Sequence, residues 1–276
     1  MIFEQYQLPT KLKDHIESVL YFKGLNPNHS IERIVPTGHV FVVFELDNIP
    51  RNTFDNKTLR PLETYTKVWI SGTHRKFISI SAHQQSEMLA IQFKPAGAFP
   101  FLHCPIQELN DKVVSAKEIF GTEIIKLREE ILIAENPQAK FNLVSNWLEE
   151  RYDYKKNAPE HLLAFIERLQ KEPVSNLKKV IDSYPATQKQ LIVHFKKYVG
   201  LTPKYFHRIL RFNEILKKLN EKEKISWTDV AYSCDYSDQS HFIKEFFLFS
   251  GFNPKDFIKR EFPKEQTNFF PLDKKG

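Results

Sequence analysis

With 276 residues and a formal net charge of +6, the chain is long enough for two domains of ordinary size, which hold about 100 to 200 residues each. Its 41% of apolar residues include no run of about 18, which excludes a membrane-spanning helix, and its start, MIFEQYQLPTKLKDH, becomes polar too early for a secretory signal. Cys104 and Cys234 are its only cysteines, which excludes a disulfide framework and a four-cysteine zinc site, so we expect a cytoplasmic protein.

Residues 1–120 are predicted to form strands separated by short turns. β-Branched and aromatic runs recur in IERIVPTGHVFVVFEL, KVWISG, KFISISA and MLAIQFKP, and the alternation in KFISISA is typical of a strand with one solvated face. Three prolines in PAGAFPFLHCP then end the pattern. These features predict a small antiparallel β-sandwich or barrel.

Residues 121–158 change to a helical spacing of apolar residues. TEIIKLREEILIAEN and KFNLVSNWLEERY each carry an apolar stripe. Asn136-Pro137 and Ala158-Pro159 separate the helices, because a residue before proline avoids the helical region. We predict a helical connector that serves either as a dimer surface or as packing core, followed at YDYKKNAP by the junction to a C-terminal domain of residues 159–276.

The C-terminal domain carries the basic charge. Residues 161–276 hold 21 Lys and Arg against 14 Asp and Glu, and residues 178–218 alone hold ten against two. A concentrated basic patch on a mildly acidic body is the footprint of a protein that binds a polyanion. A solvated, lysine-rich helix face would give the same count, so charge alone leaves both interpretations open.

Two stretches of this domain repeat each other at an offset of 51 residues. LIVHFKKYVGLTPKYFHRI and FIKEFFLFSGFNPKDFIKR superpose, which predicts two copies of one helix-turn-helix unit. Residues 187–209 and 238–260 share seven identities: Gln188/Gln239, Ile192/Ile243, Phe195/Phe246, Gly200/Gly251, Pro203/Pro254, Lys204/Lys255 and Phe206/Phe257.

In the first copy, Thr187 is the predicted N-cap of a helix whose Leu191 and Phe195 face inward. Gly200 is placed to end that helix, and Pro203 to start the next one. That next helix, roughly 25 Å long, would hold the two copies at a fixed separation. The side chains left toward the outside are Lys189, Ile192, Val193, Lys196 and Lys197.

The second copy, DYSDQSHFIKEFFLF, contains the residue types of a catalytic triad: Asp238, Ser240 and His241. A triad needs side chains that converge from separate elements, whereas neighbours on one helical turn point apart. We therefore predict Asp238 as a helix N-cap, with Gln239, Ser240 and His241 in the first turn. No residue is assigned a catalytic role, and we do not expect an enzyme.

AYSCDYSDQSHFIKEF followed by GFNPKDF resembles the C-terminal signature of AraC-type (AraC/XylS family) transcription regulators of bacteria. The duplicated unit with its bridging helix is similar to the paired helix-turn-helix head of that family, over roughly residues 165–262. The resemblance implies an α+β protein in which a cupin-like antiparallel β-sandwich or barrel precedes an all-α head. It also implies sequence-specific DNA binding, with two recognition helices in successive major-groove segments on one face of the duplex.

The resemblance assigns contacts residue by residue. Its base-reading candidates are Lys189, Ile192 and Val193 in the first recognition helix and Ser240, Ile243 and Lys244 in the second. Beside them lie Gln190, Gln239 and His241, while Lys196 and Lys197 would contact phosphates.

Two positions depart from the family pattern. Ile192 and Val193 stand where the family typically has Gln and Arg, so the first helix would contact a thymine methyl group instead of donating hydrogen bonds. Asp235 stands where the family prefers glycine at the turn, and aspartate tolerates a positive φ better than most residues.

The N-terminal residues also resemble a known domain. VPTGHVFVVFEL, WISG and IQFKPAGAFPFLHCPIQELNDKVVSAKEIFG look like the small β-domain of unestablished function that is attached to some bacterial AraC-type regulators. The analogy implies a role in signal sensing or protein contact. Double-stranded DNA is the implied partner, a small-molecule effector, RNA polymerase and a second copy of the chain are further candidates, and no membrane partner is expected. No ligand-binding residue is assigned.

Other chemistry has weaker support in the sequence. The β region holds His29, His39, His74, His83 and His103, yet it has no His-x-His pair and no carboxylate at useful spacing, so we predict no metal site and no cofactor. Cys104 as a thiol sensor and Arg75 as an anion ligand compete with plain roles as loop residues. The competing interpretation of the whole chain is a small-molecule-binding or enzymatic cupin-like protein whose helices only pack against the barrel.

Overall fold

The computed structural model of the chain describes residues 1–221, 238–260 and 268–273. Antiparallel strands dominate its N-terminal part, in which helices α1 (Thr10–Lys13) and α2 (Phe99–Leu102) are short. The strands are β1 (Ile2–Gln5), β2 (Ile16–Leu25), β3 (Ile31–Ile34), β4 (Val40–Glu45), β5 (Arg51–Phe54), β6 (Pro61–Tyr65), β7 (Val68–Ser71), β8 (Ile78–Ser81), β9 (Ser86–Phe93) and β10 (Val113–Ser115), with β11 (Phe269–Pro271) contributed from the far end of the chain.

These strands form two sheets, and we call residues 1–115, which contain β1 to β10 and the segments between them, the β domain. One sheet has the order β1-β2-β9-β4-β7-β10 and the other the order β11-β3-β8-β5-β6. The pairings between the described strands are antiparallel. Tyr65 at the end of β6 donates from its hydroxyl to the Val113 carbonyl on β10, at 2.8 Å, and so joins the two sheets along one seam.

The alternation of side chains along β4 explains how the sheets are covered. Val42 and Phe44 are fully buried in the main apolar core, which the helices complete. Val43 points the other way and packs with Trp69 of the same sheet and Ile80 of the other, in a small second cluster. The predicted antiparallel sandwich is therefore confirmed.

Helices α3 (Ala116–Phe120), α4 (Glu123–Ile133) and α5 (Pro137–Arg151) form the connector. Phe141, Val144 and Leu148 of α5 are each at most 2% exposed within the chain itself. Trp147 lies against Phe120 with 5.0 Å between ring centroids. These side chains therefore pack in or against the apolar core of the chain.

The C-terminal part from residue 159 to residue 260, which we call the head, consists of helices wherever the structure describes it. Its described helices are α6 (Glu160–Lys171), α7 (Leu177–Asp182), α8 (Gln188–Tyr198), α9 (Pro203–Glu221), α10 (Gln239–Ser250) and α11 (Pro254–Lys259). Within the described ranges, none of the helices combines the length and the apolar character that crossing a bilayer would require.

Residues 268–273 follow the helices of the head and include a strand that the sequence did not predict. They form a strap that returns to the N-terminal domain, where β11 pairs antiparallel with β3. Beyond the strand, the Asp273 carboxylate accepts hydrogen bonds from the Ser30 hydroxyl and from the backbone N–H groups of Ser30 and Ile31, the last at 2.7 Å. The strand signal is only three residues long and contains a proline, so the alternation that identifies strands could not reveal it.

The strap is also packed on the head. Phe270 is 2% exposed, and its ring lies 4.9 Å from that of Phe257 in α11. The strap is thus held between the edge of one sheet and the second helical unit. A single cluster of buried apolar side chains runs from the β domain through the connector into the head.

Candidate nucleic-acid interface

A reciprocal cap fixes the first turn of α8. The Thr187 hydroxyl accepts a hydrogen bond from the Gln190 N–H at 3.2 Å, and the Gln190 side-chain oxygen accepts one from the Thr187 N–H at 3.1 Å. Leu191 and Phe195 are fully buried beneath this turn. The side-chain oxygen of Gln190, predicted to lie beside the base readers, is therefore engaged in the cap.

The opposite face of α8 points to solvent. Lys189 and Lys196 are exposed, Val193 is 56% exposed, and Ile192 is half-buried. Lys197 corrects the prediction of an outward side chain. Its ammonium lies 4.8 Å from the ring centroid of Phe99 in α2, so it is directed at the β domain.

Helix α10 repeats this arrangement in the second unit. The Asp238 carboxylate accepts a hydrogen bond from the His241 N–H at 2.8 Å and caps the helix. Phe242 and Phe246 are fully buried beneath it. The polar residues of its first turn and outer face are exposed, namely Gln239, Ser240, His241 and Lys244, while Ile243 is half-buried.

Helix α9 joins the two units, as predicted. The ring centroid of its Phe212 lies 5.5 Å from that of Phe246 and 5.2 Å from that of Phe249, both in α10. Glu245 of α10 is buried and accepts hydrogen bonds from Arg208 Nε at 2.5 Å and Arg211 Nη2 at 2.9 Å, both on α9. One carboxylate between two guanidinium groups fixes the angle between the bridging helix and the second recognition-type helix.

Sequence reasoning did not single out Glu245. The available signal was an acidic residue on the apolar side of a helix, four positions after His241. The His241 ring also approaches it, with 3.9 Å between Nε2 and Glu245 Oε2. The side chain of His241 therefore borders this ion cluster as well as the helix surface.

The β domain holds the turn that follows each recognition-type helix. Gly200, after α8, has φ of +87°, and its carbonyl accepts a hydrogen bond from Asn110 Nδ2. Gly251, after α10, has φ of +71°, and its carbonyl accepts one from Arg33 Nη1 at 2.7 Å. The predicted helix stop Gly200 and its repeat equivalent Gly251 are thus also the points at which the β domain contacts the head.

Further contacts surround these two points. The guanidinium of Arg33 lies 4.5 Å from the ring centroids of both Phe77 and Phe252. Burial lowers the pKa of Arg33 to about 10, so the group stays charged near neutral pH. Beside the first unit, the Tyr205 hydroxyl donates to the carbonyl of Arg75 at 2.8 Å.

The polar side chains of the β domain do not form a metal site within the described ranges, since no group of three or more His, Cys, Asp or Glu comes together there. His39 Nδ1 lies 2.8 Å from the Phe93 carbonyl, and His74 Nε2 lies 2.9 Å from the Ser71 hydroxyl. Burial raises the pKa of the Cys104 thiol above its ordinary value, which disfavours a reactive thiolate.

Arg75 has a partner in its own loop. Its Nε donates to Asp111 Oδ2 at 2.6 Å, so its charge is already paired. A cleft of about 400 Å³ opens elsewhere in the β domain, between the β2–β3 turn, the start of β9 and Pro271 of the strap. Arg51, His29 and His83 contribute polar atoms to its lining.

Family comparisons match both parts of the chain. Residues 184–260 match a family model described as a helix-turn-helix domain, and residues 4–115 match a domain of unknown function, DUF6597. The HTH-type transcriptional activator RhaS of Citrobacter koseri is 26% identical over 182 residues, which make up 65% of this chain and 55% of the relative. RhaS of Escherichia coli strain SMS-3-5 is 28% identical over 154 residues, 54% of this chain and 48% of the relative.

The head is therefore similar to a helix-turn-helix domain of transcription regulators. The chain spans about half the length of the curated relatives that it matches. The turn residue Asp235, at which the AraC-type pattern prefers glycine, lies outside the described residues.

Among solved structures, the chain is similar to ToxT from Vibrio cholerae. A crystal structure of its apo form covers 87% of this chain and 97% of its own, with a TM-score of 0.46 and 10% identity. A second ToxT structure covers 94% and 98%, with a TM-score of 0.44 and 10% identity.

Proposed function

We propose that this protein is a sequence-specific, double-stranded-DNA-binding transcription regulator. The observation that carries the proposal is the pair of capped helices α8 and α10, each with a buried apolar face and an exposed polar first turn, mounted on one bridging helix. A recognition helix reads base edges with its first turns while the opposite face packs on its own unit. The named activity of the curated relatives supports the same conclusion.

The exposed side chains divide into two roles. On α8, Lys189, Ile192 and Val193 would meet base edges, with apolar contact to thymine methyl groups dominating at the last two. On α10, Ser240, Ile243 and Lys244 would do so, with Gln239 and His241 beside them. Lys196 would position the chain on a phosphate. We withdraw Lys197 from this set, because it packs on Phe99.

The β domain would control the spacing of the two reading helices. It contacts the first unit through Asn110 and Gly200 and the second through Arg33 and Gly251. A ligand or a protein that changed the β domain would therefore act on both units together. The cleft of about 400 Å³ beside Pro271 is the candidate place for a small-molecule effector, because it borders the strap.

The division of labour follows the three stretches of the chain. Residues 1–120 would sense or contact a signal, residues 121–158 connect, and residues 159–276 bind DNA, with the strap reaching back from the last stretch to the first. RNA polymerase and a second copy of the chain are candidate partners of the exposed surfaces. We assign no enzymatic activity, since the Asp238 carboxylate serves as a cap.

The test is selection of bound duplexes from a random DNA pool by the full chain, followed by affinity measurements at two salt concentrations. We expect a motif with two blocks about one helical turn apart, bound with an affinity that falls steeply with salt. A protein that enriched no motif and bound every duplex alike would not be a sequence-specific regulator under those conditions. Repeating the selection with the isolated head is unsuitable, because its core is continuous with that of the β domain.

A further inference from the structure

One aromatic side chain of α10 points away from the core of the head. Phe242, Phe246 and Phe249 are fully buried, whereas Phe247 is 57% exposed. A single exposed phenylalanine is ordinary on a protein surface and needs no explanation by itself. The position of Phe247 on the helix is what matters, because the ring shares a face with the side chains that are proposed to read bases.

Phe247 continues the row of outward residues that begins at Ser240. At 3.6 residues per turn, seven residues bring a helix back to within about 20° of the same direction, about 10 Å further along its axis. The residues at i, i+3, i+4 and i+7 of this face, all exposed or half-buried, are Ser240, Ile243, Lys244 and Phe247. In the homeodomain, a helix-turn-helix variant, the recognition helix reads the major groove with residues at the same intervals. Phe247 therefore occupies the last reading position of α10.

The two units of the repeat differ at this position. The offset of 51 residues aligns Phe247 with Lys196, and Lys244 with Val193. Val193 is 56% exposed, and Lys196 is exposed as well. Each reading face thus carries one exposed apolar side chain and one lysine at its last two positions, but in opposite order along the helix.

A phenylalanine cannot do at this position what a lysine does. An ammonium group binds phosphates, whereas an apolar ring has neither a charge nor a hydrogen bond to offer them. The apolar group that base pairs present in the major groove is the C5-methyl group of thymine. Contact between the ring and this methyl group removes apolar surface of both partners from water, which favours the complex.

We propose that Phe247 reads a thymine methyl group in the DNA block contacted by α10 and is a specificity-determining residue of the head. The inference rests on the proposed function and adds to it a reader that the sequence did not assign. The block read by α10 should therefore contain a thymine at the end that the third turn of the helix reaches. The block read by α8 has no such requirement at the equivalent place, because Lys196 stands there.

The test uses the full chain and the duplex recovered by selection. Uracil replaces each thymine of the two blocks, one at a time, which removes the methyl group and leaves the base pairing unchanged. We expect one replacement at the end of one block to weaken binding of the natural protein by about 3- to 5-fold, the effect of taking one apolar carbon out of the contact. In Phe247→Ala the same replacement should change the affinity by less than about 1.5-fold, because the partner of the methyl group is gone.

Three further variants define the contact. Phe247→Leu keeps an apolar group and should retain part of the uracil effect. Phe247→Lys copies the residue of the first unit, and it should abolish the uracil effect and steepen the salt slope by about one. Phe269→Ala is the matched control, since Phe269 is 41% exposed and lies on the strap, outside both reading faces, and it should keep the full uracil effect. Because both phenylalanines are exposed, unchanged thermal unfolding will establish that the variants fold.

The outcomes separate the two proposals. If every uracil effect persists unchanged in Phe247→Ala, the ring reads no thymine methyl group, while the DNA-binding function stands. A selected motif in which no thymine lies at the end of either block would overturn the assignment of Phe247 in the same way. If the natural protein binds the selected duplex no better than random DNA, the proposed function fails, and the assignment of Phe247 fails with it.

Discussion

Gly200 and Gly251 lie 51 residues apart, at the same position of the repeat, and the β domain holds both in the same way. Each has a positive φ, and each carbonyl accepts a hydrogen bond from a β-domain side chain. A Cβ added at Gly200 would lie 2.5 Å from Thr73 Oγ1, and one added at Gly251 would lie 2.6 Å from Phe77 Cζ. The β domain therefore contacts equivalent turns of the two units, through a hydrogen bond and close packing at each.

Replacing either glycine should weaken the contact between the β domain and that turn. We expect Gly200→Ala and Gly251→Ala each to lower the free energy of unfolding by about 2 to 4 kcal/mol, because the methyl group adds a collision to the cost of a positive φ. Urea unfolding of the full chain measures this. Gly24→Ala is the control, since Gly24 has φ of +72° with no atom nearer than 3.9 Å, and it should lose only about 1 kcal/mol. Equal losses at the three sites would mean that contact with the β domain does not matter.

The strap offers a second test. Phe270→Ala should cost about 3 kcal/mol of unfolding free energy, because a buried aromatic ring between sheet and head would be replaced by a cavity. The neighbouring Phe269 is 41% exposed, so Phe269→Ala should cost less than about 1 kcal/mol. Hydrogen exchange provides a local signal. The Val35 N–H donates to the Asn268 carbonyl at 3.1 Å and should exchange faster in Phe270→Ala. If the Val35 N–H exchanged at the same rate in Phe270→Ala as in the natural chain, Phe270 would not be holding the strap against β3.

Lysines on the two reading helices should separate into two classes. Lys244→Ala should relax base preference, whereas Lys196→Ala should weaken binding to all sequences and lower the salt slope by about one. Lys197→Ala is the comparison, and it should leave the slope nearly unchanged because its ammonium lies over Phe99. Affinities for the selected and scrambled duplexes, measured at three salt concentrations, give both the base preference and the salt slope of each variant. Identical effects from the three substitutions would refute the division into readers and positioners.

His74 should make stability depend on pH. Burial lowers the pKa of His74 to about 4, and the nearby Asp111 carboxylate offsets this only in part. Since the folded state favours the neutral ring, its contribution is fully present above about pH 6.5, declines as the pH falls below that value, and is lost at about pH 4. The loss should be about 2 to 3 kcal/mol.

Urea unfolding of the natural chain and of His74→Gln at pH 7 and pH 4.5 tests this. The variant should show a smaller decline, although not a flat profile, because burial also lowers the pKa values of His15 and His39. The same decline in both proteins would show that His74 does not contribute.

The caps and stops of the head could be predicted because they are encoded locally. Thr187 and Asp238 each bind an N–H three residues further along, and a glycine ends each helix. Periodicity likewise identified the buried pairs Leu191/Phe195 and Phe242/Phe246. Each of these signals lies within about one helical turn, so a single sequence contains it.

The contacts between distant parts of the chain could not be predicted in this way. Asp273 binds Ser30 across 243 residues, and Arg33 binds Gly251 across 218. Neither contact produces a periodic pattern in the sequence. For the same reason the sequence placed Lys197 with the outward residues, because helical spacing gives the direction of a side chain but not the presence of α2 opposite it. The role of Glu245 could not be predicted either, because the two arginines that bind it, Arg208 and Arg211, lie on another helix.

The strap also has a consequence for the order in which the molecule is completed. While the chain is being synthesised, β3 is an edge strand until residues 269–271 emerge and occupy the place beside it. An uncovered edge is a template for pairing with other chains. Strand β3 is only four residues long and carries Glu32 and Arg33, two features that discourage such pairing on a nascent chain. The sheet that holds the head is thus finished only after the head itself has been made.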